Sequence, residues 1–202
     1  MLVPSRGALM YAKGLRDAVR GLWRDDLSQE AFIGDVSSLM ETRLRQAWFE
    51  GAAECAIYPD EITPSEQLKL ATAIQEQLAF ISGFAADIVA NSKDRGGKLT
   101  PLMTRVDQLW VNRYFQFKNE GQATACSDVK MMWVLGLTEE HCPECIQLHG
   151  RVKRGSYWIS RGILPRVPGN NYTTCRGYKC WCSLVPTEEP VSRGPLPVLL
   201  RG

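Results

Sequence analysis

The chain has 202 residues and a mass of 22.7 kDa, room for one domain or one domain with a small satellite. With 45% hydrophobic and 23% charged residues it has a globular composition, which excludes collagen-like, low-complexity and disordered chains. A formal charge of +2 is too small to argue for nucleic acid or an anionic membrane, and apolar runs such as 131–135 fall far short of the ~20 residues a bilayer span needs.

The first residues show no apolar core ahead of a small-residue cleavage site, so the chain is expected to be intracellular at synthesis. A short helix is expected from about Leu15 to Trp23. Ser28-Gln29-Glu30 then opens a run with Phe32, Val36, Leu39, Met40, Leu44, Ala47 and Trp48 at steps of three and four, one buried stripe of a long helix. Gly51 or Tyr58-Pro59 should close it. Thr63-Pro64-Ser65-Glu66 has a cap residue, a proline at the first helical position and a glutamate three after the cap, which predicts a capping box. Leu70, Ile74, Leu78, Ile81, Ala85 and Ile88 carry that stripe towards Arg95-Gly96-Gly97. Thr100-Pro101 repeats the start signal, with Val106, Trp110, Phe117 and Gly121 following up to Cys126. Long amphipathic helices on short connections predict a bundle.

After Asp128 the pattern changes. Val129–Leu135 reads as a buried strand, and Gly150–Lys153 and Trp181–Val185 as two more. Residues 1–128 hold 14 basic against 17 acidic side chains and residues 129–202 hold 10 against 5, so the two parts carry −3 and +5. The expected fold is α+β and mainly α. It comprises a helical body of three to four helices over 1–128, a small cysteine-bearing β-rich module over 129–186 and an extended tail over 187–202. The tail, with Pro190, Pro195 and Pro197, is a candidate arm for a partner.

Five of the seven cysteines lie in the module. Cys142-Pro143-Glu144-Cys145 is a C-x2-C pair, and Cys175, Cys180 and Cys182 follow thirty residues on. A C-x2-C turn aims two sulfurs at one metal, and a second cysteine cluster completes a tetrahedral zinc shell at Zn–S distances of about 2.3 Å. Cys142 and Cys145 belong to every version of the shell; Cys175 with Cys180 is the first choice for the rest. Cys182 is an alternative to Cys175, since residues two apart in an extended segment share a face. His141 and His149 stand in reserve. Arg151, Lys153, Arg154, Arg176 and Lys179 would offset the thiolate charge.

Disulfides are not expected of an intracellular chain, and Cys55 and Cys126 read as small buried residues. A catalytic zinc keeps an open position beside an acid or base, and Glu140, Glu144 and His149 are near enough in sequence to keep a zinc-dependent hydrolase as a minor alternative. Trp158, Tyr172, Tyr178 and Trp181 among basic residues suit either packing around the metal or stacking on single-stranded nucleic acid.

The run Trp133, Thr138-Glu139-Glu140-His141-Cys142-Pro143-Glu144-Cys145, Leu148-His149-Gly150-Arg151-Val152, Trp158, Gly162-Ile163-Leu164-Pro165 and Cys175-Arg176-Gly177-Tyr178-Lys179-Cys180-Trp181-Cys182 resembles the C-terminal module of tailed-phage minor head proteins. These are the phage Mu F-like or head-morphogenesis family. The family's C-x-x-C, Leu-x-Gly, proline-bearing loop and terminal C-x-C occur here in order, over roughly residues 130–186. Cys175 stands where many members carry histidine. The resemblance implies a non-enzymatic minor capsid protein with one structural zinc ion. It would reside in the virion, and in the host cytoplasm during assembly. Its partners would be the portal or major capsid protein, with packaged DNA as a further contact and neither a membrane nor a small-molecule substrate involved. The alternative is a zinc-ribbon protein binding phage DNA, motivated by the +5 charge.

Overall fold

Ser5 opens the first helix of the computed structural model, which describes residues 5–137, 140–178 and 181–197. The Ala8 amide donates to Ser5 Oγ, and α1 runs over Arg6–Trp23. It is longer than the expected 15–23 because the serine cap lies ahead of a glycine-interrupted first turn. Gly14 also serves packing, since a Cβ there would stand 2.8 Å from Leu39 Cδ2.

Ser28 caps α2 (Gln29–Ala52) by accepting from the Ala31 amide. At α3 (Pro64–Leu78) the expected capping box is present: Thr63 Oγ1 accepts from the Glu66 amide and Glu66 accepts from the Thr63 amide. The stripe expected to continue to Arg95 is interrupted at Ala79–Phe80, where the Phe80 amide bonds back to Gln77 O in a tightened turn before α4 (Ile81–Ala90). Ile74 and Ile81, seven apart, stay buried across the break while Phe80 faces solvent.

Next, α5 (Leu99–Arg105) starts at Lys98 rather than Thr100. Pro101 is accommodated because first-turn amides have no intrahelical partner. A π-helical turn at Val106–Trp110 joins α5 to α6 (Val111–Ala125).

Contacts group the chain into two units discontinuous in sequence. Leu2–Gln46 with Ile62–Tyr114 forms a helical unit. In it Phe84 stacks on Trp110 at 5.3 Å, Phe32 meets Phe84 edge-on at 6.3 Å, and Tyr11 packs on Tyr114 at 5.7 Å.

The second unit joins Ala47–Glu61 to Phe115–Gly202. Its helical part is a close crossing of the ends of α2 and α6. A Cβ on Gly51 would lie 1.9 Å from Lys118 O, and one on Gly121 would lie 1.9 Å from Trp48 O. Both obstacles are backbone, so neither can swing aside. Gly121→Ala is therefore expected to cost about 3 kcal/mol, the upper end of overpacking penalties. A urea midpoint unchanged from wild type would refute the contact.

The crossing brings two cysteines together. Cys55 ends a 3-10 turn (Ala53–Cys55) just past α2, and Cys126 follows α6. They form a disulfide with a Cα–Cα distance of 5.5 Å across 71 residues of sequence. This corrects the expectation that both are merely small buried residues. The helix crossing, invisible in the spacing of the cysteines, decides it.

Three strands follow, within a residue or two of where hydrophobicity placed them: β1 (Lys130–Val134), β2 (Val152–Arg154) and β3 (Ser183–Pro186). They form an antiparallel sheet in the order β2-β1-β3, with Met132 opposite both Val152 and Val185. Two short helices, α7 (Pro143–Leu148) and α8 (Gly155–Ser160), lie in the connections. Trp133 and Trp158 centre the core with rings 5.8 Å apart, and Trp158 Nε1 donates to Met131 O at 3.1 Å. Cys126, Met131, Cys145, Leu148, Cys182 and Leu184 pack around them.

The described part of the tail lies on its own sheet. The Ser192 amide donates to Val152 O, Ser192 Oγ accepts from the Val152 amide, and Lys153 Nζ donates to Ser192 O and Gly194 O. Residues 191–194 thus cover the outer edge of β2, where open backbone groups would otherwise face solvent. Up to residue 197 the tail lies as a strap along its own module; residues 198–202 lie outside the description.

Candidate metal centre

The C-x2-C pair sits at a helix start. Cys142 is the N-cap of α7 with extended backbone, Pro143 follows in the first turn, and the Ile146 amide donates to Cys142 O. A cap residue and one three positions later lie on the same side of the first turn, so Cys142 and Cys145 are presented together.

The third sulfur comes from a loop organised by one asparagine. Asn170 Oδ1 accepts from the amides of Tyr172 (3.2 Å) and Thr173 (3.0 Å) and from Thr173 Oγ1 (2.9 Å), while its Nδ2 donates to Val167 O. Asn side chains set local turns in this way. The Arg176 amide returns to Thr173 O and the Tyr178 amide to Cys175 O, curling the backbone around Cys175. Gly177, at φ 72°, passes so close to Val167 O that a Cβ would lie 2.1 Å from it.

These two segments bring Cys142, Cys145 and Cys175 into one cluster whose Sγ atoms all lie within 4.8 Å of one another. Cys142 Sγ and Cys175 Sγ are 3.6 Å apart. Ligands about 2.3 Å from a tetrahedral centre stand about 3.8 Å from each other, so the spacing fits a thiolate-bound metal. Cys145 is buried, and Cys142 and Cys175 are half-exposed.

Burial pushes the Cys142 thiol above its ordinary range, although hydrogen bonds from Cys145 and Cys175 pull the other way. Metal uptake at such thiols must release their protons.

A carboxylate pins the halves together. Glu144, only 8% exposed, accepts from the Thr174 amide at 3.0 Å and from Thr174 Oγ1 at 3.1 Å. Burial would raise its pKa, but these hydrogen bonds outweigh burial and hold it below the usual carboxylate range. Sequence reading offers Glu144 as an acid or base for a reacting metal; here the carboxylate is committed to the loop that presents Cys175. Supporting contacts of this kind typically carry 10- to 100-fold in metal affinity. Glu144→Ala should weaken binding by about that much in a chelator-competition titration, and an unchanged affinity would show that the loop holds Cys175 unaided.

The other sequence-proposed ligands fare differently. Cys182, 1% exposed, is packed in the Trp133–Trp158 core and is not part of the sulfur cluster, so Cys175 and not Cys182 joins the C-x2-C pair. His149 closes α7, faces solvent and accepts at Nδ1 from the Leu135 amide at 3.4 Å; it stays outside the cluster, as does His141. Cys180 and Lys179 lie outside the described residues. Asn170, Thr173 and Thr174 were not foreseen as parts of the site, although the polar run Asn170-Asn171-Tyr172-Thr173-Thr174 ahead of Cys175 is a turn signal.

No family model, curated protein or solved structure matches the chain. The chain is mainly helical with a small antiparallel sheet, and it carries a three-cysteine cluster able to hold a metal ion.

Proposed function

We propose that this chain is a minor structural protein of a tailed-phage head, acting in head morphogenesis near the portal, with one zinc ion bracing its cysteine-bearing module. The observation that carries the reading is the convergence of Cys142 and Cys145 with Cys175, 33 residues beyond Cys142, at the spacing a tetrahedral thiolate site needs. Those residues belong to the ordered motif series on which the resemblance to phage Mu F-like proteins rests. Cys180 is the fourth ligand in this reading, Cys182 being packed elsewhere.

Zinc suits the donor set, since soft thiolates in a tetrahedral arrangement favour it over hard cations. Bound there, it would tie α7 to the 170–178 loop and supply no reaction. The commitment of Glu144 to Thr174 supports that role over a hydrolytic one. It also supports assembly over nucleic-acid binding that two of the basic side chains behind the +5 charge are turned inward. Lys153 is held by tail carbonyls, and the Arg166 guanidinium lies between Phe115 and Trp181, 3.3 and 4.8 Å from their ring centres.

The test is composition of purified particles. Mass spectrometry of tailed particles made from the genome encoding this chain should find it at a few copies per portal, and assembly without it should yield fewer filled heads. Its absence from particles, with filled heads forming normally, would sink the assembly role.

A further inference from the structure

The six cysteines among the described residues divide into two chemical populations within one unit. Cys55 and Cys126 are a disulfide, while Cys142, Cys145, Cys175 and Cys182 are not disulfide-bonded. Closing the first pair requires an oxidant of thiols. Neighbouring sulfurs in mutual contact are equally open to that oxidant unless something occupies them. We propose that Cys142 and Cys175 are a reversible oxidation site, closing to a disulfide as the metal leaves, so that the metal centre doubles as a peroxide-sensitive clasp. The proposal rests on the metal reading given above and adds a second state to that site.

Geometry selects the pair. Cys142 Sγ and Cys175 Sγ are 3.6 Å apart, so closing to a disulfide bond of about 2.05 Å needs an approach of only about 1.5 Å. Both sulfurs are half-exposed, whereas Cys145 is 2% exposed and Cys182 1%. Peroxide must touch a sulfur to oxidise it, so among the described cysteines attack falls on Cys142 or Cys175 and the resolving thiol is the other one. Cys145 is as near in sequence as a C-x2-C disulfide requires, yet it is screened by the Trp133–Trp158 core. The site is also fixed on both sides, since Glu144 holds Thr174 and Asn170 holds Thr173. The two sulfurs therefore face each other while the metal is still bound, and the new disulfide takes over the link between α7 and the loop as the metal leaves.

The step balances. One metal-bound thiolate takes an oxygen from hydrogen peroxide to become a sulfenic acid, releasing water once a proton is added. The second thiolate attacks that sulfur, and hydroxide leaves, taking up the second proton as water. Two thiolates lose two electrons, peroxide gains them, and the divalent metal departs with its charge unchanged. A disulfide cannot serve as a thiolate ligand, so oxidation and metal release are one event.

Zinc-loaded full-length protein with Cys55–Cys126 intact is titrated with hydrogen peroxide. Released zinc is read with a chromophoric chelator, and disulfides are located by non-reducing peptide mapping. The expected result is loss of one equivalent of zinc with the appearance of one new linkage, Cys142–Cys175, and on adding glutathione and zinc the linkage disappears and the zinc is taken up again. Zinc bound firmly but followed by a Cys142–Cys145 linkage, by irreversible sulfinic acids or by no oxidation overturns this inference and leaves the metal reading standing. A protein that takes up no zinc overturns the metal reading and this inference with it.

Discussion

Cys142→Ser is expected to lose the metal and, with it, the ordered packing of the 170–178 loop on α7. In small zinc-dependent modules the metal supplies about 10–16 kcal/mol of apparent folding free energy. Here the Trp133–Trp158 core is present as well, so collapse should be confined to the segments the sulfurs join. Metal content by elemental analysis should fall from about one equivalent to none. Hydrogen exchange should rise around Cys175 and α7 and stay low in the helical unit. Cys182→Ala is the companion experiment, because that side chain is buried away from the cluster. It should keep full metal content and cost about 1–2 kcal/mol as a small core truncation. Metal lost in Cys182→Ala but kept in Cys142→Ser would reverse the ligand assignment.

The second large effect concerns the Cys55–Cys126 disulfide. It closes a loop across 71 residues, and in the chain-entropy account a closure of that size restricts the unfolded chain by about 4 kcal/mol. The double variant Cys55→Ala, Cys126→Ala should therefore melt on the order of 10 °C lower than the oxidised wild type in calorimetry without reductant. Wild type treated with a reductant strong enough to open the bond should match the variant. A difference under about 2 °C would mean the pair contributes nothing through the unfolded state.

How much was legible beforehand is clearest at particular residues. Thr63-Pro64-Ser65-Glu66 could be read because a capping box is a local hydrogen-bond arrangement among four consecutive residues. The strand at 130–134 was legible for a similar reason, an unbroken apolar run too short for a helix. The break at Ala79–Phe80 was not, since no glycine or proline marks it. Within the metal centre, the membership of Cys142 and Cys145 followed from their spacing, which is a property of one helix start. The choice of Cys175 over Cys182 did not, because it depends on which of two later segments folds back.

The disulfide shows the same limit. Cys55 and Cys126 carry no motif, and their meeting follows from the close backbone approach at Gly51 and Gly121, two glycines that a sequence reading takes for helix ends or neutral positions. The tail is a further case. Its prolines announce extended chain, but only the register of Ser192 against Val152 shows that it lies on its own β2 edge.

By itself the sequence determined where α2 and α3 begin, which segments are strands, and that the thiol-rich third of the chain has the donors for a metal. Each of these is set by neighbours within one turn or one strand, where backbone hydrogen bonding and apolar periodicity act. The tertiary structure alone decided which sulfurs share a site, which cysteines are oxidised, and that Glu144 braces the loop that presents Cys175. Those outcomes depend on residues tens of positions apart, whose approach is governed by how closely whole helices and loops can pack.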